Sequence, residues 1–177
     1  MIALHGNAMN LLQRLFRPAP ILPPRLALWH AVVTEARDKR WYRDCSVADT
    51  IEGRFDMITL VLAIVLLRIE REGDNASSVA LTELFIEDMD SQLRQSGVGD
   101  LMVGKHVGKL MATLGGRIGA LRDALPVGGA ALPEAVGRNV TLVEGADAEP
   151  LAAELLRFHA VVERIPYEAL LEGTLTA

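Results

Sequence analysis

The chain has 177 residues and a net charge of −5. That length suffices for one domain with its own core, and the sign of the charge argues against a general nucleic-acid-binding surface, DNA included. Half the residues are hydrophobic but only 5% are aromatic, and the β-branched residues are scattered, a balance that favours helices over strands. The single cysteine, Cys45, excludes an intramolecular disulfide and suits a reducing compartment.

Residues 1–24 read as an N-terminal arm: a short amphipathic basic segment, NLLQRLFR, then the breaker PAPILPP, which cannot sustain a helix. Arg14, Arg17 and Arg25 precede the first acidic residue, Glu35. This is a weak likeness to a targeting segment; without the continuous apolar core of a signal peptide, a basic surface helix is the better reading. Pro24 suits the first turn of a helix continuing to about Arg43, with Leu26, Trp29, His30 and Val33 at helical spacing. Cys45-Ser46-Val47 then leads to a second helix, about 50–72, opened by Asp49 or Thr50 and closed by Gly73-Asp74-Asn75. Its centre, Met57 to Leu67 (MITLVLAIVLL), is about half of the ~20 residues a bilayer span needs. Bounded by charge at both ends, it reads as a central helix covered on nearly all sides.

Ser77 or Ser78 is the expected cap of a third helix, about 78–96, whose apolar stripe includes Leu81, Leu84, Phe85 and Met89. Its other side is acidic, with Glu83, Glu87, Asp88 and Asp90. Asp100 is placed to cap a fourth helix ending before Pro126, and the connector VGGAALP leads to a fifth near 133–143. A sixth spans about 150–164, and a last turn follows Pro166. The expected architecture is an all-α, single-domain bundle of six to seven helices with short loops and a central hydrophobic helix near 50–72.

The fourth helix carries three rows. Val107, Met111, Leu114, Ile118, Leu121 and Leu125 form an apolar seam. Gly104, Gly108, Ala112, Gly116 and Ala120 recur at every fourth residue, a row that lets another helix backbone approach closely. Each interior Gly costs ~1 kcal/mol of helix propensity relative to Ala, so close packing must offset the loss. Packing inside the domain is favoured over reception of a foreign helix. Lys105, Lys109 and Arg117 make a basic edge. Antiparallel packing would set it beside the acidic face of the third helix, as surface pairs worth ~0–1 kcal/mol each; anionic lipid headgroups, an acidic protein segment or RNA phosphate are the rival use.

Chemistry is sparse. The four histidines are far apart, without metal-ligand spacing such as HExxH, and Cys45 has no CxxC partner. No glycine-rich phosphate loop follows a strand. No catalytic residue, metal site or cofactor is expected, and the protein is not expected to be an enzyme.

Ordered blocks go further than composition. Asp49 to Asp56 (DTIEGRFD), followed by an apolar helix ending LLRI, resembles a signature of the ubiquinol–cytochrome c chaperone family. Phe85 to Asp90 (FIEDMD), Leu93 to Lys105 (LRQSGVGDLMVGK), Gly116-Arg117 and Arg138-Asn139-Val140 resemble its later blocks in order. The resemblance covers about residues 25–143 and implies a helical chaperone-like domain over 25–177. It implies an assembly factor that binds newly made cytochrome b and promotes assembly of the respiratory cytochrome bc complex. It also implies a small assembly partner or a ribosome contact, and work in the cytoplasm, peripheral to the bacterial inner membrane. Arg54, Lys105, Lys109 and Arg117 are the candidate partner or lipid contacts; Arg54 is equally readable as a plain surface residue or an anchor to the acidic helix. The alternative function is a membrane- or ribosome-recruiting helical adaptor that holds no client.

Overall fold

The computed structural model describes residues 25–95 and 103–176, except the side chains of 93–95 and 103–105. The arm 1–24, the expected cap Asp100 and the Lys105 side chain therefore lie outside the described residues. The described chain is all-α: α1 Leu26–Ala36, α2 Lys39–Arg43, α3 Ile51–Arg71, α4 Asn75–Gln95, α5 Val103–Val127, α6 Ala131–Asn139, α7 Glu149–Arg164 and α8 Tyr167–Leu171. The all-helical bundle expected from periodicity is what the structure shows.

Helix α3 is the axis. Thr50 caps it, its hydroxyl accepting from the Gly53 N–H at 3.2 Å, and Arg68 and Arg71 sit in the last turn, where cations suit the helix dipole. Every residue from Asp56 to Leu66 is buried, because α1, α4, α5 and α7 all pack against it. Rings join these layers: Trp29 meets Phe85 edge-on at 6.0 Å between centroids, and Trp41 meets Phe158 at 6.2 Å.

Three boundaries differ from expectation. The helix expected to reach Arg43 breaks after Ala36: Asp38 turns extended (φ −60°, ψ 135°), and its carboxylate accepts from the Arg40 N–H to start α2. That break seats Trp41 in the core, its indole N–H donating to the Glu35 carbonyl at 2.9 Å. Asp74, not Ser77 or Ser78, caps α4; it accepts from the Ser77 N–H at 2.9 Å and from the Ser77 hydroxyl at 2.5 Å. Pro126 falls inside the last turn of α5, at an exposed end where its missing N–H leaves little unsatisfied.

The loop before α3 is tied to the loop after α6. Val47 and Leu142 form an isolated antiparallel bridge, the Ala48 N–H donates to the Thr141 carbonyl and the Val143 N–H to the Ser46 carbonyl, both at 2.9 Å.

Candidate functional site: the faces of helix α5

Helix α5 is positioned by one buried carboxylate. Asp56, in the second turn of α3, is 7% exposed. One of its oxygens pairs with the Arg117 guanidinium. The other accepts from the Thr141 N–H at 2.8 Å and the Thr141 hydroxyl at 2.7 Å. Arg117 donates a second bond to the Asp56 carbonyl at 3.2 Å, and its guanidinium lies over the Phe55 ring at 5.6 Å. The approach of the segment before α3 depends on Gly53: a Cβ there would stand 1.9 Å from the Ala48 carbonyl oxygen.

This geometry redraws the basic row. Arg117 is buried and committed to Asp56, so it cannot serve as the surface contact expected of it. The reason is its helical phase, which aims it with Leu114 and Leu121 at α3 rather than outward. Arg54 is exposed and paired with Asp49 at 2.7 Å, so it is a surface residue rather than an anchor to the acidic helix. Lys109 is exposed, and among the described residues no ion pair joins it to the acidic face of α4. The carboxylate that holds Arg117 and the Thr141 hydroxyl that holds the carboxylate are not foreseen as a site; the sequence signal is that Asp56, Gly116-Arg117 and the residue after Val140 lie in or next to the separate blocks that carry the family resemblance.

The small-residue row also differs from expectation. Gly108, Ala112 and Gly116 are exposed, with Ala120 half-buried where the row meets the core. No heavy atom lies within 4 Å of the position a Cβ would take at Gly108, Gly115, Gly116 or Gly119. From Gly108 to Gly116 the row therefore does not pack inside the domain, while Gly104 lies outside the described side chains. The inward seam runs instead through Leu110, Leu114, Leu121 and Ala124, leaving Met111 43% exposed beside the glycines.

On the inward side, the α5 residue Leu110 borders a cleft of about 720 Å³ with Ile51, Phe55, Ile58 and Met89. A second cleft, about 470 Å³, runs between α1 and α4 and shares Arg37 and Gln92 with the first. Neither brings together the groups of a reaction centre. Among the described residues no cluster of His, Cys, Asp and Glu is placed to hold a metal ion, and burial pushes the Cys45 thiol up, away from the thiolate form a nucleophile needs.

What these features define is a helical scaffold without a reaction centre among its described residues: a buried axis, one long helix clamped to it by a buried ion pair, and an outward face rich in glycine and alanine. Its family is known. The ubiquinol-cytochrome C chaperone model matches residues 43–177, and the chain belongs to that family. It is similar to the Cbp3 homolog from Brucella abortus, known from a crystal structure. The two are 31% identical with a TM-score of 0.74, the match covering 95% of this chain and 94% of that one. No curated protein matches.

Proposed function

We propose that this chaperone holds newly made cytochrome b and promotes its entry into the respiratory cytochrome bc complex, receiving an apolar helix of the client on the outward face of α5. The observation that supports this reading is the open row at Gly108, Gly115, Gly116 and Gly119, with Met111 exposed beside it. Several interior glycines weaken an isolated helix by ~1 kcal/mol each, and no contact inside the domain offsets that here. A transmembrane helix laid against the row would supply it, since small residues let two helix backbones meet.

No helix among the described residues is long and apolar enough to cross a membrane. A client with membrane helices would be met by peripheral contact at the cytoplasmic side of the inner membrane. The small assembly partner or ribosome contact implied by the family resemblance would find one exposed cation of the basic row, Lys109, among the described side chains.

The test is a photo-crosslinking residue at Ala112 in cells, with cytochrome b detected in the adduct. Gly116→Leu should abolish the adduct and lower bc-complex activity while the purified variant keeps its helical spectrum. Normal cytochrome b and bc-complex levels after gene deletion would sink the reading.

A further inference from the structure

The α1–α4 cleft has a floor of Trp29, Val33 and Leu84, an acidic α4 edge of Glu87 and Asp88, and His30 and a single lining cation, Arg37, on the α1 side. Among the described residues neither Glu87 nor Asp88 is in an ion pair; Asp88 accepts from the Gln92 side-chain amide at 3.2 Å. An apolar floor with a net-negative rim suits an amphipathic segment carrying positive charge.

The chain contains such a segment. Ala8, Leu11, Leu12, Leu15 and Phe16 fall on one helical stripe, with Arg14 beside it and Arg17 at its end, and residues 1–24 hold no acidic side chain. A helix of ~10 residues is too short to persist alone in water, so it needs a surface. At 1.5 Å per residue it would be about 15 Å long, close to the length of the 11-residue α1. The point of entry is set: Arg25 takes a left-handed conformation (φ 65°) and donates from Nε to the Ser77 hydroxyl at 2.8 Å. Leu26, the next residue, already lines the cleft. The stretch 18–24 reaches about 23 Å when extended, enough to turn the segment back.

We propose that residues 8–17 dock along the α1–α4 cleft of their own chain, with Leu11, Leu12, Leu15 and Phe16 on the Trp29–Leu84 floor and Arg14 and Arg17 toward Glu87 and Asp88. The cleft is then an intramolecular seat, separate from the outward face of α5. An anionic lipid surface is the rival occupant for the segment, but the same carboxylates would repel lipid from the cleft.

Hydrogen–deuterium exchange of the full chain, read by mass spectrometry on peptides covering 8–17, tests this. In lipid-free buffer exchange should be at least about tenfold slower than the unstructured rate. It should return to that rate in Glu87→Lys/Asp88→Lys and slow again when Arg14→Glu/Arg17→Glu is added, while α3 stays protected throughout. Unstructured exchange in the unmodified chain would overturn the proposal. So would slowing seen only with phosphatidylglycerol vesicles, or slowing indifferent to the charge reversals.

Discussion

A buried carboxylate that meets a guanidinium on one oxygen and two donors on the other is stable only while its partners are present. Asp56 is in that position, with Arg117 on one side and Thr141 on the other. Arg117→Met should therefore cost about 3–5 kcal/mol in urea unfolding, because it strands a charge away from water. Lys109→Glu, two turns earlier and exposed, should stay within ~0.5 kcal/mol of the parent. Equal costs would mean that Arg117 is not buried as described. A second residue-scale expectation concerns pH. Hydrogen bonds from the Ser77 hydroxyl, the Ser77 N–H and the Tyr167 hydroxyl hold Asp74 down to about 2. These bonds favour the carboxylate, so their contribution is present above the ordinary aspartate value and is lost as pH falls through the folded value. Tyr167 works the opposite limb: burial first, then its bond to Asp74, push it up to about 12. Its contribution is present below the ordinary tyrosine value of 10.0 and is lost as pH rises toward 12. Asp74→Asn should flatten the acid limb of the melting temperature against pH; an unchanged acid limb would refute the assignment.

At the scale of elements, glycine has two opposite roles, and the difference is measurable. At Gly53 a Cβ would run into the Ala48 carbonyl, and Ala48 cannot retreat because its N–H is held by Thr141. Gly53→Ala should cost about 3 kcal/mol. At Gly119 the space is empty, so Gly119→Ala should add ~0.5–1 kcal/mol by helix propensity alone. A urea midpoint that rises for Gly119→Ala and falls for Gly53→Ala, at constant slope, is the expected pattern. These cases also mark what was readable beforehand. The run MITLVLAIVLL and the cap at Thr50 located α3 almost to the residue, because burial on all sides and capping both leave local signatures. The break at Asp38 was hidden, since Leu26 to Arg43 keeps helical spacing and only the seating of Trp41 selects a turn. The direction of the glycine row was equally hidden. Glycine has no side chain to reveal which way it points, and the apolar seam could be drawn through Met111 as readily as through Leu110. The Asp56–Arg117 pair joins residues 61 apart in sequence, a distance over which periodicity carries no information.

For the molecule as a whole, the central position of α3 makes a claim about cooperativity. Helices α1, α4, α5 and α7 all rest on it, so none can keep its packing once α3 loses its own. Two tryptophans watch different sides of this arrangement: Trp29 reports contact with α4 through Phe85, and Trp41 reports contact with α7 through Phe158. Leu62, in the fully buried stretch of α3, has no exposed surface. Leu62→Ala should cost about 2–5 kcal/mol, a large part of the 5–15 kcal/mol typical of a domain. If α3 couples every layer, the loss must appear everywhere at once. Far-UV ellipticity and tryptophan fluorescence should follow one urea curve in the parent and move together in the variant. Introducing Trp41→Phe or Trp29→Phe in turn would assign the fluorescence to one side. Two separated transitions, with the Trp41 signal outlasting the Trp29 signal or the reverse, would show that the bundle is two units and that α3 is not their common axis. A single shared midpoint would mean that the outward face of α5 keeps its shape for as long as the core does, the rigidity a docking surface for a client helix requires.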